Sequence, residues 1–144
     1  MKFTSVFATF VLLLSSNTIF AQKDKIEHTW YNQEKTAKIQ IYKATDGYFW
    51  GKIVWLKEPM ENGKPKVDKN NEEKSLRNTP LMGLPVLKKF KVASAETYED
   101  GTIYDPKNGK TYSCKITHQG NKLSVRGYIG ISIIGRTAEW TLAE

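Results

Sequence analysis

An all-β domain is what this sequence predicts, and three observations predict it. Apolar and polar residues alternate with period two along much of the chain, turn signals recur at a spacing of roughly 8–12 residues, and β-branched and aromatic residues concentrate between the turns. That pattern fits a sandwich or a barrel. A small closed barrel is preferred, because closure removes sheet edges and about eight strands leave room for side chains or one small ligand.

The elements follow in order. His28–Asn32 is a short strand carrying Trp30. Ala37–Lys43 alternates, with Ala37, Ile39 and Ile41 on one side, and Asp46-Gly47 turns the chain into a hairpin. Tyr48–Leu56 is the most β-prone run, with apolar residues on both faces and Gly51 in its middle, a mark of a bulge, a bend or close backbone approach. Lys57–Asn78 has no apolar period and reads as a long loop, of a length that is functional or disordered when found in a compact domain. Thr79–Leu84 reads as one helical turn begun by Pro80 and ended by Pro85. Strands are then expected at Val86–Ser94 and at Glu96–Tyr104, the latter broken at Asp100-Gly101. Asp105 to Gly109 is a turn. Lys110–Gln119, a Gly120-Asn121 turn and Lys122–Ile129 make a second hairpin, and Ile134–Ala143 closes the chain.

Residues 1–21 read as a secretory signal peptide: Lys2, an apolar run to Leu14, and a small-residue exit at Ala21. The run is shorter than the roughly 20 apolar residues of a membrane span. The expectation is a single domain over residues 22–144, periplasmic or secreted, with no integral membrane span after cleavage. Twenty-two Lys and Arg against 15 Asp and Glu give a formal charge of +7. The lysines are scattered rather than clustered, which speaks for a solvated surface and against nucleic acid. Cys114 is the single cysteine, so no intrachain disulfide forms, and its phase with Tyr112 and Ile116 predicts a buried thiol. His28 and His118 have no ligand-type neighbours at metal spacing, so neither a metal nor another cofactor is expected. No nucleophile elbow, phosphate-cradling loop or zinc-protease motif occurs. Asp100 and Asp105, with Glu96 and Glu99 before them, are the one grouping with acid–base potential, and carboxylates beside a turn are normally solvated charges.

Only three arginines stand in this lysine-rich chain: Arg77, Arg126 and Arg136. Arg136 falls in phase with Ala138, Trp140 and Leu142, on the inward face. It either packs on Trp30 to close the barrel or anchors an anionic head group. Arg126 is in the outward phase. Arg77, at the exit of the long loop, is placed to fasten that loop through Asp68 or backbone carbonyls. The four tryptophans and seven tyrosines exceed what a small core needs, so Tyr48, Trp50, Trp55 and Tyr104 are candidate cavity walls beside Arg136. Trp30, Arg77, Asp68 and Trp140 are taken as structural.

Several ordered segments are similar to one family. They are Gly47–Leu56, Asp68-Lys69-Asn70-Asn71 leading to Leu76-Arg77, Pro80–Leu87, Gly101–Pro106, Gly109–Tyr112, Leu123–Gly130, and Gly135-Arg136-Thr137 with Trp140-Thr141. Together they resemble the bacterial exported family catalogued as domain of unknown function 2147. Glu72 stands where that family often has Pro, and the Gly usual two before the first-strand Trp is missing. The resemblance implies a lipocalin-like fold, an up-and-down calyx with no settled activity, in which Trp30 and Arg136 would take the places of a first-strand Trp packed on an Arg near the last strand. The leading expectation is a binding protein for a small, partly apolar or anionic ligand. The alternative is a filled barrel that binds an envelope protein or polymer.

Overall fold

The computed structural model describes residues 24–131 and 133–143, so the leader read at residues 1–21 lies outside the described residues. The described residues form ten strands: β1 (Thr29–Tyr31), β2 (Ala37–Lys43), β3 (Phe49–Leu56), β4 (Met60–Glu61), β5 (Lys64–Pro65), β6 (Pro85–Val92), β7 (Thr97–Asp105), β8 (Lys110–Gln119), β9 (Lys122–Tyr128) and β10 (Gly135–Leu142). Eight of them close a barrel in the order β1-β2-β3-β6-β7-β8-β9-β10, each antiparallel to its neighbours, and β4 with β5 makes a separate two-stranded ribbon. The predicted all-β, up-and-down closed barrel is the observed one.

Two hairpins follow from local chemistry. Gly47 and Gly120 take positive φ of 85° and 66° at the turns, as tight β-turns require. Asp46 adds a side-chain bond from the Tyr48 N–H to Oδ1, at 3.0 Å.

Bulges reset the strand phase in three places. On β3, Trp55 pairs with Lys38 while Ile53 pairs with Ile39, so Val54 is the extra residue. On β7, Tyr98 pairs with Ile116 and Gly101 with Cys114, so two residues oppose one, with Asp100 at φ 61°. The break expected at Asp100-Gly101 is therefore a bulge inside one strand. It brings Gly101 under the Phe90 ring, where a Cβ would lie 2.4 Å from Cδ2. The irregularity beside Gly51 belongs to its partner β6, where Leu87 sits over the glycine with Cδ1 at 2.9 Å from a built Cβ.

The loop expected at Lys57–Asn78 is partly ordered: it contains the β4–β5 ribbon and a 3₁₀ turn at Lys74–Leu76. The helical turn expected at Thr79–Leu84 is not formed. Val67 instead bridges Pro80, and the Leu84 N–H bonds back to the Leu81 carbonyl in a turn with Gly83 at φ 85°.

The connections alternate between the two ends of the barrel. The β2–β3, β6–β7 and β8–β9 turns lie at one end, together with residues 24–28. That end is closed: Ile26 is fully buried with Trp30, Phe49, Phe90, Tyr98, Ile116 and Leu123, each large side chain adding roughly 1.5–3 kcal/mol by leaving water. The N-terminal segment is pinned there by Tyr98 O–H to Asp24 (2.8 Å) and by Lys25 on Glu96. The β1–β2 turn, the long loop, the β7–β8 turn and the β9–β10 loop meet at the other end.

Candidate functional site

That other end is open. A cavity of about 990 Å³ runs from the rim down the barrel axis. Its lower wall comes from the inward positions of successive strands: Ile39, Ile53, Val86, Ile103, Val125 and Trp140. The rim is polar, with Asn32, Glu58, Asp105, Lys107 and Arg136 among its residues. Lys107 is paired with Glu34 at 2.7 Å and Lys66 with Glu58 at 3.9 Å. Arg136, which is exposed at the rim, has no ion pair among the described residues. Gly127 also faces the cavity, and a Cβ built there makes ordinary contacts, with Ile103 Cγ2 at 3.5 Å, Tyr112 Cβ at 3.7 Å and the Ser113 carbonyl oxygen at 4.0 Å. The barrel is hollow partly because this inward position carries no side chain.

The long loop flanks the mouth and is fastened underneath by Asp68, which is fully buried. Its Oδ1 accepts the Tyr104 O–H at 2.7 Å and its Oδ2 accepts from Asn71 Nδ2 at 2.8 Å. Burial, then the hydrogen bond to Asp68, push the Tyr104 phenol well above its ordinary pKa. Asn70 Nδ2 donates to the carbonyls of Pro106 and Lys107, both at 3.1 Å. Arg77 Nε donates to the Asn71 carbonyl at 2.7 Å. Of the two tie-downs expected for Arg77, the carbonyl is the one made, within the loop itself, and the loop-to-wall bond belongs to Asp68 and Tyr104.

The predicted aromatic wall needs correction. Tyr104 borders the cavity, and so does Trp140, which was assigned to structure. Tyr48, Trp50 and Trp55 do not line it. Trp50 donates Nε1–H to Asp46 Oδ2 at 3.0 Å on the outer face. Strict alternation from Phe49 would turn Trp55 inward, but the Val54 bulge flips the phase, and Leu56 lines the cavity in its place. Trp55 then packs edge-on against Tyr31, 6.0 Å between centroids, with Lys38 Nζ 5.6 Å from its ring. Tyr48 sits at the closed end under Lys91, 6.0 Å away. Lys38, Lys52 and Lys91 thus stand over outer-face rings, those of Tyr31 and Trp55, of Tyr42 and of Tyr48.

The comparisons with known proteins agree with this architecture. Residues 28–142 match the family described as "Uncharacterized protein conserved in bacteria (DUF2147)". The chain belongs to that family. The barrel of this DUF2147 member is similar to the solved structure of protein HP1028 from Helicobacter pylori, described as belonging to the lipocalin family. The TM-score is 0.73, with 20% identity over 85% of each chain. At that identity the likeness speaks for the fold. The search of curated proteins found no match.

The lipocalin-type pairing of Trp30 with Arg136 is not made in this DUF2147 chain. Trp30 pairs with Leu142, at the bottom of β10, whereas Arg136 pairs with Gly127, six residues nearer the mouth. At about 3.3 Å per residue that separation is roughly 20 Å. Arg136 keeps the inward phase but stands at the rim rather than at depth. Trp30 donates Nε1–H to the Ile26 carbonyl at 3.0 Å and packs edge-on to His118 at 6.1 Å. His118 Nδ1 lies 3.0 Å from Glu96 Oε2. Lys25 and then His118 hold the Glu96 carboxyl below its ordinary range through hydrogen bonds. Arg126, read as outward, donates to Thr137 Oγ1 at 2.8 Å and to the Ile133 carbonyl at 3.2 Å, bracing the β9–β10 loop. The small residue Gly127 and the aliphatic wall carried no distinctive chemistry in the sequence. Their only signal was the inward phase shared with Val125.

Proposed function

We propose that this protein is an exported carrier that holds a small, largely apolar ligand in its calyx, with Arg136 at the rim receiving an anionic or polar head group. One observation carries the reading: a cavity of about 990 Å³ with an aliphatic lower wall and a charged rim. Small-molecule sites span roughly 300–1,000 Å³ and combine apolar walls with a few placed polar groups. The lipocalin-like fold favours the same conclusion by analogy. A filled barrel binding an envelope protein or polymer would need side chains meeting across the axis, and the inward glycine at position 127 works against it. Periplasmic or extracellular location rests on the composition of residues 1–21.

The test is native mass spectrometry of the protein recovered from the cells that make it, beside its Gly127→Phe variant. The added ring enters the cavity from a position where a side chain meets ordinary contacts. The parent is expected to carry a discrete extra mass that denaturation releases, and the folded variant to lose it. A bare parent across preparations, or an identical adduct on the variant, would overturn the reading.

A further inference from the structure

Large exposed apolar side chains are not spread evenly over this barrel. Among the described residues nine such side chains are exposed, and seven of them sit on the two longest rim connections: Met60, Leu76 and Met82 on one, Ile129, Ile131, Ile133 and Ile134 on the other. The four isoleucines are between 58% and 79% exposed, although the barrel interior begins only a few residues away. Single exposed apolar residues are ordinary, but a cluster at one end marks a surface that meets another phase or partner.

The charge at that end identifies the partner. Segment 126–136 contains Arg126 and Arg136 and no acidic residue, so its apolar tip is framed by cations alone. Across the connections at the open end (32–36, 57–84, 105–110 and 126–136), lysines and arginines outnumber acids by eleven to seven. One of those acids, Asp68, is buried away from the surface. An apolar tip inside a cationic collar is complementary to a bilayer leaflet of anionic phospholipid: the isoleucines enter the acyl boundary while the basic side chains stay at head-group level. An acidic protein groove would suit the collar but not four projecting isoleucines on one loop.

We infer that the open end of the barrel docks on anionic phospholipid membranes, with the loop at 129–134 as its inserted tip and Arg126 and Arg136 beside it at the surface. Because Ile129 and Ile134 also line the cavity, docking in this pose faces the calyx mouth onto the bilayer. The inference concerns the rim and holds whether or not a ligand occupies the barrel.

Site-specific fluorescence tests it on the full chain. Cys114 is fully buried, so an introduced exposed cysteine takes the label. An environment-sensitive dye is placed at Ile131→Cys on the tip, and at Asn121→Cys on the closed end as the control. Vesicles contain phosphatidylglycerol with phosphatidylethanolamine, or phosphatidylcholine alone, each with acyl-chain quenchers. The tip probe should blue-shift and be quenched on the anionic vesicles, weakly or not at all on phosphatidylcholine, and the closed-end probe should not respond. Raising salt to 0.5 M, where screening lengths are about 4 Å, should weaken the response. Ile133→Ser in the tip-labelled protein should weaken it by several-fold or more. A tip probe that stays in water on anionic vesicles, equal responses at both ends, or a lipid-independent response that grows with protein concentration would each overturn the inference. The last of these would assign the apolar tip to a second copy of the chain.

Discussion

Replacing Tyr104 by Phe removes one oxygen and isolates the bond that fastens the rim loop to the barrel wall. Asp68 is fully buried and no lysine or arginine pairs with it among the described residues. Its charge is satisfied by two side-chain donors, Tyr104 O–H at 2.7 Å and Asn71 Nδ2–H at 2.8 Å, and the substitution would leave only the second. A hydrogen bond to a charged group contributes roughly 1.5–3 kcal/mol, and loss of one partner strands the other in a dry site. For a domain of this size the melting temperature falls by about 3–6 °C per kcal/mol, so a drop of roughly 5–18 °C is expected. Urea unfolding at pH 7 should show the matching shift in midpoint with an unchanged slope. Because the ring remains on the cavity wall, any adduct seen on the parent should survive. Asp68→Asn combined with Tyr104→Phe should cost less than the two separate losses, since both delete the same contact. A stability loss below about 0.5 kcal/mol for Tyr104→Phe would refute this account of the buried carboxylate.

Other perturbations test neighbouring parts of the structure. Gly109 has φ 74°, and a Cβ there would lie 1.9 Å from the Asn70 carbonyl oxygen. Gly109→Ala should therefore cost about 1–3 kcal/mol and free the loop, read as faster limited proteolysis within residues 57–78; an unaltered cleavage rate would contradict the close approach. Tyr98 and Tyr104 both have phenols held above the ordinary value, in each case by burial first and then by a hydrogen-bonded aspartate, Asp24 and Asp68. Above pH 10 the unfolded chain binds fewer protons than the folded one. Stability is thus fully present below pH 10 and falls above it, by up to roughly 1.4 kcal/mol per pH unit for each phenol. Urea midpoints measured from pH 8 to 11 should bend downward near pH 10, and less so in Tyr98→Phe; a flat profile would rule the coupling out. Burial pushes the Cys114 thiol up to about 12, so a thiol reagent at pH 8 should label it only as fast as the protein unfolds. Native labelling at the denatured rate would show that the thiol is not enclosed.

Much of the barrel was legible because its signals are local. Asp46-Gly47 and Gly120-Asn121 specify turns by themselves, and the alternation in Ala37–Lys43 and Lys110–Gln119 needs no tertiary information to be read; both strands occupy those spans. The site was less legible because it depends on phase accumulated along a strand. Tyr48–Leu56 is apolar on both faces, so periodicity could not choose between them, and the extra residue at Val54 reversed the choice for Trp55. Gly51 did point to the inward face, since only a missing side chain lets Leu87 approach, but aromatic size drew attention to the outer one. Arg136 shows the complementary limit. Its phase was readable from Ala138 and Trp140, whereas its height along the barrel depends on which residue of β10 meets Trp30, and pairing between chain ends leaves no local mark. The resemblance to lipocalins carried the fold correctly and this one packing detail incorrectly.

The meander divides labour between the two ends of the barrel. Short turns and the tucked N-terminal segment seal one end, and Ile26, Trp30, Phe49, Phe90 and Tyr98 are fully buried there. The other end is written by four connections, including a stretch from residue 57 to 84 whose β4–β5 ribbon stands apart from the barrel sheet. Lineages that carry this fold are thus free to rewrite the mouth, by insertion, deletion or recharging, without renegotiating the seal that keeps the barrel folded. Relatives should accordingly diverge first at the rim, and an engineer wishing to reshape the mouth should graft at residues 129–134 or on the β4–β5 ribbon and leave the sealed end and the buried Asp68 alone.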